Sequence, residues 1–228
     1  MNTVLFDLDG TLTDPKVGIT TCIQYALERL GYQPPETEEL LWCIGPPLTV
    51  SFAKLMQTTD TSLIEKAIIF YRDRFATVGL FENLLYPQIP EILKAIRSEG
   101  YQTYVATSKP YVFARRIIEH FGLISLFDGI YGSELDGTRC DKGDLLRYIL
   151  ISENLDSAKT VMVGDRSHDI IGAKKNQILA IGVTYGYGTK EELKAHGTDL
   201  LANSPMDIHK HLTLLSPNSP NGSAIWGI

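Results

Sequence analysis

Five short apolar runs constrain this chain more than any other feature. They are "TVLFDLD" (3–9), "YQTYVATS" (101–108), "DGIYG" (128–132), "KTVMVGD" (159–165) and "ILAIGVTYG" (178–186). Most are continuous rather than alternating. A strand with one wet face alternates, whereas a strand covered on both faces does not, so these runs predict a parallel sheet sandwiched by helices. The segments between them carry a helical period. Ile89, Ile92, Leu93 and Ile96 lie at i, i+3, i+4 and i+7 of residues 89–99, and Gly100 follows as a C-terminal cap. Residues 111–121 end at Gly122, and residues 144–154 carry Leu145, Leu146, Tyr148, Ile149 and Ile151. Strand and helix alternating at this spacing predict a doubly wound α/β fold.

One region breaks the alternation. Between Thr13 and Tyr86 no segment reads as a strand. Residues 17–30 place Ile19, Cys22, Ile23, Ala26, Leu27 and Leu30 on one helical face, residues 48–57 and 62–77 are also helical in period, and "IGPPL" (44–48) reads as a turn. A helical subdomain inserted after the first strand is the expectation. It assigns 1–13 and 85–212 to an α/β core, 14–84 to the insert and 213–228 to a flexible tail. That tail ends in the Ser-, Pro-, Asn- and Gly-rich "SPNSPNGSAIWGI". A chain of 228 residues suits a core domain with a smaller insert.

Composition narrows the function classes. The chain is 44% hydrophobic and 21% charged, ordinary for a globular protein. Its net charge of −6 and lack of a long basic run argue against a nucleic-acid polymer as partner. No apolar run approaches the ~18 residues of a membrane span. Cys22, Cys43 and Cys140 are scattered and form no CxxC pair. They read as reduced thiols, and the N-terminus shows no basic leader, so a cytoplasmic protein is expected, as monomer or homodimer.

Ligands of open α/β sheets bind beyond the carboxyl ends of the strands. Those ends carry Asp7, Asp9 and Thr11, then Thr107 and Ser108, then Asp165 with Asp169 one turn into the next helix. Lys142 starts the helix before the strand at 159–165. Four carboxylates at one mouth cannot all stay ionised without a cation. All-oxygen ligands suit Mg²⁺, which in such sites commonly also binds phosphate. The hydroxyls of Thr107 and Ser108 and the ammonium of Lys142 are the donors a phosphate needs.

In order along the chain, "FDLDGTLTD" (6–14), the Thr of "VATSKP" (105–110), the Lys of "CDKGD" and "VMVGDRSHD" (161–169) resemble the four motifs of the haloacid dehalogenase-like hydrolases. The resemblance spans about residues 1–212 and carries roles. It makes Asp7 the nucleophile that takes the phosphoryl group. It makes Asp9 the acid and then the base. Thr107 and Lys142 hold the phosphoryl group, with Ser108 beside them. The resemblance implies a magnesium site of Asp7, Asp165 and the backbone carbonyl of Asp9, with Asp169 binding through water or orienting its neighbours. The insert resembles the family's small mobile cap, whose substrate-facing loop corresponds to Gly45 and Pro46 in "GPP".

An acid at position 9 favours phosphate esters over haloacids, and the branch most resembled is that of phosphoglycolate phosphatases and 5′-nucleotidases. The expected substrate is therefore a small phosphorylated metabolite. A hexose-phosphate mutase and a non-catalytic phosphate-binding regulator stand as alternatives. Lys109, His168, Arg72 and Arg74 read as solvated residues, with phosphate binding beside Lys142 the alternative for Lys109 and substrate contact that for His168, and "YGYG" (185–188) lacks the spacing of a nucleotide fingerprint.

Overall fold

The structure, a computed structural model of the chain, describes residues 1–216. The end of the expected tail, with Trp226, lies outside the described residues. The described residues divide into two compact units, residues 13–84 and residues 1–12 with 85–216.

Strand β1 (Thr3–Phe6) opens the larger unit. The smaller unit runs through β2 (Thr13–Asp14), α1 (Lys16–Arg29), a 3₁₀ turn at Thr37–Cys43, α2 (Leu48–Leu55), α3 (Thr61–Arg74), a π-helical turn at Phe75–Gly79 and β3 (Leu84–Leu85). The larger unit then continues as α4 (Ile89–Ser98), β4 (Gln102–Pro110), α5 (Tyr111–His120), β5 (Gly129–Ser133), α6 (Lys142–Ser152), β6 (Thr160–Gly164), α7 (Ser167–Lys175), β7 (Leu179–Val183), α8 (Lys190–Ala195), β8 (Leu200–Ala202) and α9 (Pro205–Leu215).

Six strands form one parallel sheet in the order β5-β4-β1-β6-β7-β8. Register explains the continuous apolar runs. Tyr104, Leu5, Met162 and Ala180 align across four strands and pack with Leu145, Leu146 and Ile149 of α6 and Ile170 and Ala173 of α7. Their neighbours Val105, Phe6, Val163 and Ile181 align one residue on, and all four are fully buried too. Both faces are covered, so neither can be polar. The helix predicted over 89–99 buries the four residues its period marked, Ile89, Ile92, Leu93 and Ile96.

Three expectations about element bounds need correction. Strand β1 stops at Phe6 rather than at residue 9, because the backbone turns through Leu8–Leu12, where the Leu12 N–H donates to the Leu8 carbonyl at 2.9 Å. Two strands, β2 and β3, do occur between Thr13 and Tyr86, pairing with each other, and at two residues each they are too short to show a period. The tail does not start at residue 213. Helix α9 continues to Leu215 because Ile208, Leu212 and Leu215 are buried, and the Tyr101 hydroxyl donates to the Leu212 carbonyl at 2.7 Å.

Within the smaller unit, Asp60 caps α3 by accepting from the Ser62 and Leu63 N–H groups at 2.9 and 3.3 Å. Arg74, expected on a solvated face, instead grips both carboxylate oxygens of Glu82 at 2.6 and 2.9 Å. Cys22 and Cys43 are buried and Cys140 is exposed, none of them in a disulfide among the described residues, and Arg74 Nη1 donates to Cys22 Sγ at 3.3 Å. No helix among the described residues is long and apolar enough to cross a membrane.

Candidate active site

The sheet reverses its direction of winding at β1. From there the chain builds outward to β4 and β5 on one side and to β6, β7 and β8 on the other. Crevices at such a switch point open between adjacent strands whose following connections diverge, here β1 and β6. Asp7 follows β1 and Asp165 follows β6, so topology alone brings these carboxylates side by side. The Asp7 N–H donates to the Val163 carbonyl at 2.9 Å, which extends the ladder one residue and fixes where Asp7 starts.

Carboxylate oxygens of Asp7, Asp165 and Asp169 all lie within 4.8 Å of one another. Lys142, only 4% exposed, enters this cluster from the first turn of α6. Its ammonium donates to Asp7 Oδ1 at 2.9 Å and to the Ala106 carbonyl at 2.8 Å, and it lies 2.8 Å from Asp169 Oδ1. Burial works against the Lys142 charge, but Asp169 and Asp7 outweigh it and hold the ammonium protonated. Asp165 is fully buried, and its carboxyl is pushed well above the usual carboxylate range by that burial and then by the charges of Asp169 and Asp7. Burial also raises Asp169, while Lys142 opposes the shift.

One ammonium does not balance three buried carboxylates. Asp165 Oδ1 is buried and has no hydrogen-bond partner among the described residues. An orphaned oxygen in an all-carboxylate cluster is the coordination that a hard divalent cation such as Mg²⁺ accepts. The donor set therefore fits the metal that the motifs imply.

Asp9 stands apart from this trio. Its carboxylate pairs with Lys109, Nζ to Oδ2 2.8 Å, rather than joining Asp7, Asp165 and Asp169. Burial raises the Asp9 carboxyl above its ordinary value and Lys109 opposes the rise. Thr107 is 2% exposed, and its hydroxyl accepts from the Lys109 N–H at 3.2 Å. Ser108 adjoins it at the end of β4, and its carbonyl accepts from the Ser133 hydroxyl at 2.8 Å. Gly45 and Pro46 belong to the smaller unit, in the loop between the 3₁₀ turn at Thr37–Cys43 and α2. His168, on the first turn of α7, is exposed.

Residues 4–183 match the sequence model of the family described as "Haloacid dehalogenase-like hydrolase". The chain belongs to this family. The haloacid dehalogenase-like fold accounts for the parallel sheet, and the chain is an enzyme of the phosphoric monoester hydrolase type. It is 50% identical over 195 residues to a 5′-nucleotidase of Pseudomonas aeruginosa, covering 85% of this chain and 87% of that one. A tyrosine-protein kinase, PtkA of Mycobacterium tuberculosis, is 36% identical over 88% of this chain and 68% of its own length. A phosphoglycolate phosphatase of Vibrio parahaemolyticus is 26% identical over 88% and 91%. Among solved structures, "a predicted phosphatase from Clostridium acetobutylicum" superposes with a TM-score of 0.89 at 44% identity, covering 92% of this chain and 97% of that one.

Two groups near the site escaped the sequence reading. Lys109, which reads as a surface lysine or a phosphate binder, is instead 6% exposed at its side chain and bonded to Asp9. The signal was its position two residues past Thr107, at the carboxyl end of a central strand. The second is the "YGYG" loop. The Tyr187 N–H donates to Asp165 Oδ2 at 2.7 Å, and a Cβ at Gly188 would overlap the Asp165 carbonyl oxygen. Gly10, at φ +83°, faces the same carboxylate, where a Cβ would overlap Asp165 Oδ2. Close approach of backbone to Asp165 is what these glycines permit.

Proposed function

We propose that the chain hydrolyses a small phosphomonoester through a phosphorylated Asp7, with Mg²⁺, in the cytoplasm. The observation that carries this reading is the division of labour among the buried acids. Asp7 shares Lys142 with Asp169, while Asp9 is held separately by Lys109.

In the first half-reaction an Asp7 oxygen attacks phosphorus. The bond to the leaving oxygen breaks, and Asp9 gives that oxygen its proton. Burial raises the Asp9 carboxyl, which favours the protonated form this step needs. In the second half-reaction Asp9 takes a proton from water, the water oxygen attacks phosphorus, and the bond to Asp7 breaks to release phosphate. Lys142 neutralises Asp7 as the phosphate dianion approaches, and Thr107 and Ser108 donate to its oxygens. Asp7, Asp165 and Asp169, with the Asp9 carbonyl, would hold Mg²⁺, whose chemistry is to offset charge on the phosphoryl oxygens. Gly45 and Pro46 are assigned to the substrate-facing loop of the smaller unit.

The 5′-nucleotidase name of the 50% identical relative supports testing nucleoside 5′-monophosphates first, ahead of phosphoglycolate. The test is phosphate release with Mg²⁺ from a panel of nucleoside 5′-monophosphates, phosphoglycolate and β-glucose 1-phosphate. We expect turnover of the first group, and a loss of roughly 10³-fold or more in Asp7→Asn. Isomerised sugar phosphate in place of free phosphate would make the enzyme a mutase. Turnover that survives Asp7→Asn in folded protein would remove the phosphoaspartate.

A further inference from the structure

Helix α7 begins with a weakness. Its N-cap is Arg166, which makes no side-chain capping bond to the helix. An arginine cannot accept a hydrogen bond, so the first-turn amides need an acceptor from elsewhere. This turn matters because Asp165 precedes it and Asp169 lies within it. The Arg166 N–H donates to Asp169 Oδ2 at 3.1 Å, so Asp169 hangs on the backbone of Arg166.

The missing acceptor comes from α8, twenty-five residues along the chain. Glu192 Oε1 accepts from the Ser167 N–H at 2.8 Å and from Arg166 Nε at 3.1 Å. The contact is sheltered, with the Arg166 and Glu192 side chains 16% and 22% exposed. Glu192 is itself anchored, since its N–H donates to Thr189 Oγ1 at 3.0 Å. Its neighbour Glu191 is exposed. The segment 185–192 thus grips the metal-side turn twice, at Asp165 through Tyr187 N–H and at Arg166–Ser167 through Glu192.

We propose that Glu192 is a positioning residue for the metal-binding carboxylates: by capping α7 and fixing Arg166 it sets where Asp165 and Asp169 point. Glu192 does not belong to the carboxylate trio, so it acts through Arg166 and Ser167. The inference rests on the magnesium reading given above and adds a residue to it. Partners that orient metal ligands are worth about 10–100-fold in metal affinity.

Calorimetric titration of Mg²⁺ into wild type, Glu192→Ala and Glu192→Gln tests it, with thermal melts to verify folding. We expect Glu192→Ala to bind Mg²⁺ about tenfold more weakly. Glu192→Gln should fall between, because its amide oxygen still accepts from Ser167. At saturating Mg²⁺ the KM for an aryl phosphate should be unchanged. Wild-type affinity in folded Glu192→Ala overturns the inference alone. No Mg²⁺ binding by wild type overturns the metal reading and this inference with it. If Glu192→Ala does not fold, Glu192→Gln and Arg166→Met decide the matter. A double variant no worse than the poorer single supports a shared contact, and additive losses overturn it.

Discussion

At the scale of single residues, Asp165 shows how much of this site is steric. It is enclosed by backbone: the Tyr187 N–H bonds one oxygen, and Gly10, Gly186 and Gly188 all lie where a Cβ would overlap it. Gly188 is the cleanest probe, since its φ is not in the left-handed region and only crowding opposes a side chain. We expect Gly188→Ala to cost about 1–3 kcal/mol, the usual range for overpacking against backbone, read as a lower urea midpoint. A midpoint equal to wild type would mean that the loop yields freely and does not hold Asp165. Asp7, Asp9, Asp165 and Asp169 were legible because carboxylates at strand ends carry an obvious charge problem. Lys109 was not, because a lysine before a proline looks the same whether its ammonium meets water or Asp9.

At the scale of elements, the period was readable in α1, α3 and α4 and in the central strands, whereas α9, at eleven residues, went unread. The face of α4 is the clearest case, and β2, β3 and β8 were missed for want of length. Pairing inside elements was not readable. Arg74 on α3 turns to Glu82, eight residues on, after the chain passes through a π-helical turn that shifts the helical phase. The hydrogen bonds from Arg74 hold the Glu82 carboxyl below its ordinary value, while burial opposes them. A depressed carboxylate contributes stability above its unfolded pKa and loses it as pH falls through the folded one. Glu82→Gln should therefore lower stability near neutral pH, by about 1 kcal/mol for a partly buried charged pair. The gap from wild type should close as acid protonates Glu82. Urea midpoints across an acid titration check this, and a gap independent of pH would assign the effect to packing.

At the scale of the whole molecule, the buried carboxylates impose a linkage between metal, protons and folding. Burial raises the Asp165 and Asp169 carboxyls, so on the proposed magnesium reading the ion competes with protons for their oxygens. Mg²⁺ should thus raise the melting temperature, with stabilisation of about 2.7 kcal/mol at a hundred times Kd. The shift should shrink from about pH 8 to about pH 5 as protons compete for the same oxygens. A shift that is constant over that range would place Mg²⁺ elsewhere. The sequence by itself determined the parallel α/β core and the motif acids, because period and strand-end charge are local properties. Only the tertiary structure decided that Lys109 meets Asp9, that the loop at 185–188 closes on Asp165, and that Glu192 caps α7. Those contacts join segments that no local period relates. They are set by the order in which the strands pair, which brings the ends of β1, β4, β6 and β7 to one edge of the sheet.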